Sequence, residues 1–520
     1  MVRRLAALLI LVLTLAACGG GGESVEGAGL ESEATGASEG EAAVEDAPAG
    51  TLVAALSARP DQLDPHSTTA YPSFQVLENV YDTLTVPNPE TLEMEPSLAT
   101  EWEVSDDNLT WTFTLREGVT FHDGSEFDSA DVVYSFNRII DEELAASFRF
   151  ANVEEVSAPD EMTVEIKLSQ PTPNMLDNVG SYKGVAILPE NAADDLELAT
   201  EANGTGPFTL ESSSADAIEL ATYEDYWGEP AGVDGVQFRF ISEPTTALTE
   251  LQTGDVDWTD NIPPQQVEQL SGSSDVTLEQ VPSVDYWYWT ANFDVEPFGD
   301  PQVREALSYA IDREAVTEAA KFGAATVNQT AIPEGSFWYS DYAPFEYDPE
   351  RARELLDEAG VEDLSMGLMV TDEFPETITA AEVMASQLAD VGIDVEIQQE
   401  TFATWLDRQG QGDYDAFMLG WLGNNDPFAF YHAQHVCDGN NNFQNYCNEQ
   451  TDELLNQAAV ETDQDERKRL YDEAVQLIVD DASYMYLYNP DVVQAWKPSV
   501  SGYTIRADRA INFETVQLGE

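Results

Sequence analysis

His432, His435, Cys437 and Cys447 are the side chains whose types come nearest to a reactive or metal-binding set, since all four are ligands that zinc accepts. Their spacing, His-x2-His-x-Cys, fits no common zinc module, so no metal is expected. In an exported chain the two cysteines read more simply as a disulfide closing an eleven-residue loop. The chain-entropy model makes such a closure worth roughly 3 kcal/mol. Gly36-Ala37-Ser38-Glu39-Gly40 matches the G-x-S-x-G pattern of serine hydrolases, which requires a strand before it and a helix after it. Here it sits in a run dominated by Gly, Ala, Ser, Glu and Asp, so it carries no chemistry. There is no phosphate-binding Gly-x4-Gly-Lys-Ser/Thr loop and no His-Glu-x2-His. Gly204-Thr205-Gly206-Pro207 lacks the third glycine of a dinucleotide fingerprint. With four histidines, few bases tuned to neutral pH exist, and nothing among the 99 acids singles out a glycosidase pair. The chain is expected to be no enzyme and to carry no cofactor, with a secreted hydrolase as the weaker alternative.

The 520 residues hold 99 Asp+Glu against 21 Lys+Arg, a net charge of −78. A field of that sign repels phosphate backbones and excludes a nucleic-acid partner. The acids are spread along the chain and only five lysines occur, the composition expected of a salt-adapted protein whose self-repulsion is screened by its medium. Ten Trp, 20 Tyr and 22 Phe are too many for a disordered chain.

The N-terminus supplies an address. Arg3 and Arg4 precede the apolar run Leu5 to Ala17, too short to span a bilayer but suited to the core of a secretory signal. It ends in Leu15-Ala16-Ala17-Cys18, which resembles the lipobox of bacterial lipoproteins, whose cysteine is acylated. Residues 1–18 are therefore expected to be a signal, Cys18 the lipidation site, and residues 19–50 a disordered acidic tether. The protein would be held at the outer face of the membrane, or be periplasmic.

Past residue 50 the elements must build whatever site exists. Alternation predicts strands at Thr110 to Leu115 and Met162 to Leu168. Asp300-Pro301 and Asp348-Pro349 predict helix starts, the second helix closing at Gly360. Ala381 to Leu388 reads as a helix ending at Gly392 before a strand from Ile393 to Ile397, and Thr451 to Asp480 as one long amphipathic stretch. Mixed strands and helices predict an α/β fold of two or three lobes.

Several blocks then occur in order: Glu78-Asn79-Val80-Tyr81-Asp82-Thr83-Leu84, Pro96-Ser97-Leu98-Ala99-Thr100-Glu101-Trp102, Trp111 through Gly124, Asp131 through Phe136, Gly204-Thr205-Gly206-Pro207-Phe208, and Pro297 through Leu307. From about Gly50 to the C-terminus the chain resembles the family 5 extracellular solute-binding proteins, the oligopeptide, dipeptide and nickel receptors of ABC importers. The resemblance implies a periplasmic-binding-protein-like fold with two lobes around a ligand cleft, an extra third domain, and a two-strand hinge that lets the lobes close. Lobe I would take residues 51–88, 203–283 and 497–520, the extra domain 89–202, and lobe II 284–496. The crossings would lie at Ser283 to Asn292 and near Tyr488-Asn489. The expected function is a monomeric receptor that captures peptides and delivers them to membrane permease subunits. The alternative is a receptor of the same fold for a metal chelate, an oligosaccharide or a cationic small molecule. Dipeptide receptors of the family also carry a disulfide in the loop matching Cys437 to Cys447.

In the peptide receptors, main-chain pairing with the ligand would fall at Thr69-Ala70-Tyr71, after Leu63-Asp64-Pro65-His66, and at Gly420-Trp421-Leu422. Aromatic and polar lining is expected from Trp258, Asn261, Tyr286, Tyr288, Phe402, Trp405 and Tyr488. Alternation sends Trp287 and Trp289 to one strand face and Tyr286 and Tyr288 to the other, without saying which meets the cleft. Two departures stand out. The family's carboxylate for the peptide ammonium, three residues after the tryptophan, is here Asn424, with Asp426 close enough in sequence to substitute. The loop that holds the peptide carboxylate with basic residues reads Thr371-Asp372-Glu373-Phe374-Pro375-Glu376. Zwitterionic peptides should then lose both charged anchors, and end-capped peptides should bind at least as well.

Overall fold

The computed structural model describes residues 50–519. Cys18, the signal and most of the tether lie outside the described residues. Among those described, no helix is long and apolar enough to cross a membrane.

One strand, Met485–Trp496, organises the molecule. Its first part pairs with Tyr286–Ala291 and its second with Thr277–Pro282 and Trp258–Thr259, all antiparallel. It thus joins two half-sheets into a single twelve-stranded sheet. On one side run Tyr286–Ala291, Ala416–Trp421, Leu364–Thr371 and Ile393–Glu400, the last two pairs parallel. On the other side run Trp258–Thr259, Thr51–Leu56, Gly235–Phe240, Ala217–Thr222 and Phe208–Ser213. The chain passes between halves at Ser283–Asp285 and at Asn489–Asp491, where Asn489 and Pro490 pair with Thr326 and Ala325 and Asp491 pairs with Pro282.

The half-sheet that holds Thr51–Leu56 packs Leu52, Phe238, Trp258 and Trp496 into a first core. The half-sheet that holds Tyr286–Ala291 buries both its faces, with Trp287 and Trp289 in one core and Tyr286 and Tyr288 in another. All six residues of Tyr286–Ala291 are buried, as expected of a central strand covered on both sides.

A separate four-stranded antiparallel sheet, ordered Ala99–Val104, Thr110–Leu115, Thr163–Leu168, Val153–Asp160, carries the helix Ser129–Asp141 on one face. Phe113, Phe136, Ile139, Val164 and Ile166 fill the core between them. Asp128 and Asp131 form a capping box that starts that helix. Further along the chain, Ala186, Leu188, Ala192 and Leu198 pack with Leu52 and Phe238 rather than with this sheet.

Asp300 and Asp348 cap Pro301–Tyr309 and Pro349–Glu358 through their side chains, as the Asp-Pro pairs predict. The stretch from Thr451 to Asp480 is two helices, Glu449–Ala458 and Gln464–Asp480, rather than one. Asp463 breaks it, because its carboxylate accepts the Glu466 amide and starts a new N-terminus.

Candidate functional site

The Leu63-Asp64-Pro65-His66 element is a fastener. Asp64 takes Arg138 in a fork of 2.7 and 3.0 Å, and buried His66 reaches the Ala186 carbonyl at 2.7 Å. Arg138 lies on Ser129–Asp141, so this pair ties the small domain to the large sheet. Beyond it the chain does not offer a pairing strand. The Ala70 amide is held by Thr68 Oγ1, and the Ala70 carbonyl accepts Ser73 and Phe74 amides as Tyr71–Leu77 begins. Thr69 is exposed, and of the three only Tyr71 reaches the cleft.

That cleft, about 510 Å³, lies where the chain passes between half-sheets. This is a volume typical of small-molecule sites. Its floor is the crossing backbone, Ser283 to Asp285 and Pro490 to Gln494. One wall carries Tyr71, Asp260 and Arg509, the other Trp287, Phe374 and Gly420 to Leu422. Gly420 is required by the wall's own packing, because a Cβ there would sit 2.7 Å from the Trp287 ring. The ladder between Ala416–Trp421 and Leu364–Thr371 stops at Phe417, so Gly420 and Leu422 lie beyond the paired part of that edge. Leu422 is 63% exposed.

Charges in the cleft are arranged as pairs and remainders. Arg509 binds Asp285 at 3.1 Å and lies over the Tyr71 ring at 4.4 Å, while the Tyr71 hydroxyl donates to the Arg509 carbonyl. Asp285 also accepts the Gly423 amide at 2.9 Å. Lys321 pairs with Glu376 at 3.3 Å. Asp260 accepts from Gln75 at 2.6 Å but leaves Oδ1 buried without a partner, as does Asp491. Gln494 is fully buried and its Nε2 also has none. Burial pushes the Asp491 carboxyl up to about 6, against the help of Thr326 and Lys321.

Several expected lining residues lie elsewhere. Trp258 is fully buried among Tyr503 and Phe513, because the strand turns it into the first core. Tyr286 and Tyr288 are core residues on the face away from the cleft, with Tyr288 stacked on Tyr484 at 3.8 Å. Trp405 is fully buried against Phe417, and Phe402 packs beside it, touching the cleft only through Phe374. Tyr488 is buried behind Trp287. Asn261 spends its amide on the Ile241 and Ser242 carbonyls. Asp372 and Glu373 point to solvent, and Glu376 alone of that loop's acids reaches the cleft. Asp426 cannot take the place of Asn424, because Arg467 holds it in a buried fork. Asn424 itself accepts from Arg149 Nη2 at 3.2 Å.

Sequence reasoning missed Asp260, Asp285, Lys321, Asp491 and Arg509, whereas it had named Trp287 and Glu376. For Lys321 and Arg509 the signal was scarcity, for in a chain with 21 basic residues each surviving Lys or Arg is worth asking about. Lys167, Lys468 and Lys497 pair on the surface with Glu155, Asp472 and Asp257, which leaves Lys183 and Lys321.

Cys437 and Cys447 are bonded to each other. His435 is buried against Ser483 and Tyr486 and His432 bonds Asn456, so these rings do not converge with the sulfurs.

The family model for bacterial extracellular solute-binding proteins, family 5, matches residues 93–442. The chain belongs to that family. The probable D,D-dipeptide-binding periplasmic protein of Escherichia coli K12 is 30% identical over 492 residues, covering 90% of this chain and 94% of its own. A glutathione-binding protein of Salmonella paratyphi A is 29% identical over 485 residues, covering 90% of this chain and 94% of its own. Among solved structures, an ABC transporter-associated periplasmic binding protein from Helicobacter pylori, in complex with the peptide STSA, superposes with a TM-score of 0.74 at 29% identity, covering 91% of this chain and 98% of that one. The two-lobed family 5 architecture is thus this chain's, and its relatives are binding proteins of importers rather than enzymes.

Proposed function

We propose that this protein is the lipid-anchored receptor of an ABC importer, that it holds a short extended peptide in the cleft, and that it delivers the peptide to the permease as a monomer. The supporting observation is the cleft itself. It is floored by both crossing segments, walled by Trp287, Phe374 and Trp421, and edged by a strand whose ladder ends before Gly420. A peptide laid along Gly420 to Leu422 would gain main-chain bonds without side-chain selection. Lobe closure would turn about Ser283–Asp285 and Asn489–Asp491, the two segments by which the chain passes between the half-sheets.

Native mass spectrometry of the gently purified protein tests this. A stoichiometric peptide supports the reading, a stoichiometric non-peptide solute replaces it, and steady hydrolysis of a peptide library would sink both. Cys18→Ser should release the protein from the membrane fraction, and retention equal to the parent would remove the lipid anchor. The melting temperature should fall as salt is withdrawn, since the screening length grows from about 3 Å at 1 M to about 30 Å at 0.01 M. A flat curve would contradict salt adaptation.

A further inference from the structure

The crossing segment Ser283–Asp285 is held by one half of the molecule on its first side and by the other half on its second. The Val284 amide donates to the Ala507 carbonyl at 3.0 Å, so up to this residue the segment goes with the C-terminal stretch. That stretch is fixed to the half that holds Thr51–Leu56. Tyr503, Ile511 and Phe513 pack with Leu52 and Trp258, and the Ile511 amide donates to Glu78 at 2.8 Å. One residue after Val284 the partners change halves. Asp285 Oδ1 accepts the Gly423 amide at 2.9 Å, and Tyr286 pairs with Trp421 in the other half-sheet. Asp285 Oδ2 then reaches back to Arg509 of the C-terminal stretch at 3.1 Å, across the floor of the cleft. A second bond spans the halves beside it. Arg149, in the small domain's short turn Ser147–Phe150, gives Nη2 to the Asn424 oxygen at 3.2 Å, one residue past Gly423.

Both bonds differ from the fixed joints in a way that suits opening. The small domain is tied to the Thr51–Leu56 half by Arg138 and Asp64, a fork whose side chains are 7% and 8% exposed. Parting that fork would strand two buried charges, so the small domain moves with that half. The Arg509 side chain is 38% exposed, and parting it from Asp285 returns it to water. Its position survives the parting, because the Tyr71 ring 4.4 Å from the guanidinium belongs to the same half, and the Tyr71 hydroxyl donates to the Arg509 carbonyl. Arg149 meets a neutral amide and keeps a buried Nε with no acceptor, so losing the bond rehydrates a desolvated cation and breaks no ion pair.

We infer that Arg509–Asp285 and Arg149–Asn424 are latch bonds, made as the halves close over the cleft and lost as they part, and that together they set how much of the unliganded protein is closed. The inference rests on the closing motion proposed above, and it gives the small domain a part in that motion. Each bond is charge-assisted and single, so removing one should shift the closed-to-open ratio roughly tenfold. An amide at position 424 keeps the second bond releasable, whereas a carboxylate there would complete the pairing of Arg149 and hold the halves shut.

Spin labels at Ala145→Cys in the small domain and Gln476→Cys on the helix Gln464–Asp480, both exposed positions, report the distance between the halves by double electron–electron resonance on the unliganded full chain. Asp285→Asn keeps an acceptor for the Gly423 amide and removes the charge that faces Arg509. It should reduce the population at the distance fixed by this structure roughly tenfold, and Arg509→Gln should add nothing further to it. Asn424→Asp should raise that population, and should no longer do so in Arg149→Gln. A ratio that either substitution leaves unchanged overturns the inference for that bond, while two distances in the parent keep lobe closure standing. One fixed distance in the parent and in every variant overturns the latch and lobe closure together. Asn424→Asp deletes no contact, so it decides the question where Asp285→Asn fails to fold.

Discussion

Arg467 and Arg149 both reach the loop after Ala416–Trp421, and they land two residues apart, on Asp426 and on Asn424. Arg467 is 3% exposed, grips both carboxylate oxygens, and gives its Nε to the Ala458 carbonyl at 3.0 Å. Trp338 and Tyr471 cover it, with ring centroids at 5.0 and 5.3 Å. Nothing in that arrangement is left over for a ligand. Arg149 meets a neutral amide by one bond and keeps a buried donor idle. Burial lowers it to about 10, so at neutral pH it stays charged and pays a desolvation cost that its partner does not return. Charge that the fold has neutralised holds the fold together, whereas charge it has desolvated without neutralising weakens it.

The largest expected effect comes from breaking the satisfied member. Arg467→Ala leaves Asp426 buried and alone, and urea unfolding should show a loss of roughly 3 to 5 kcal/mol. A loss below 1 kcal/mol would mean that Asp426 finds water or another donor, and the contrast with Arg149 would weaken.

Asn424→Asp converts the open member into a second ion pair. The unliganded protein should then resist urea better, by about 1.5 to 3 kcal/mol, because Arg149 gains the counter-charge it lacks. Urea melts of parent and variant check this, and an unchanged or lower stability would show that Arg149 is already satisfied.

A smaller effect is expected from Asp491→Asn. Burial pushes the native-state carboxyl up to about 6, above its unfolded value, so stability falls as pH rises from about 4 to about 6 and the loss is complete above that. The variant should therefore be more stable than the parent at pH 8, by roughly 1 to 2 kcal/mol after allowance for partial solvent screening, and no different near pH 4. Melting curves at the two pH values measure this. A variant less stable at pH 8 would show that Asp491 is satisfied in the unliganded protein.

Much of the scaffold was legible because its signals are local. Asp300-Pro301 and Asp348-Pro349 start their helices through cap bonds that lie within three residues. The missed break at Asp463 is of the same kind and was readable in principle, as a capping Asp inside an amphipathic run. The lining aromatics were not legible. Tyr286-Trp287-Tyr288-Trp289 alternates as expected, but both faces of that strand are buried, and only Trp287 reaches the cleft. A period of two separates faces without saying what covers them.

By itself the sequence determined the family, the two-lobed α/β plan, the absence of catalytic motifs and the rarity of basic side chains. These follow from composition, from short-range capping and alternation, and from ordered blocks along one chain. Which charges are paired was left to the tertiary structure. Arg467 and Asp426 are 41 residues apart and Arg149 and Asn424 are 275 apart, so no local pattern links either couple. An ion pair is worth what its burial and its partners make it, and both are fixed only when distant segments pack.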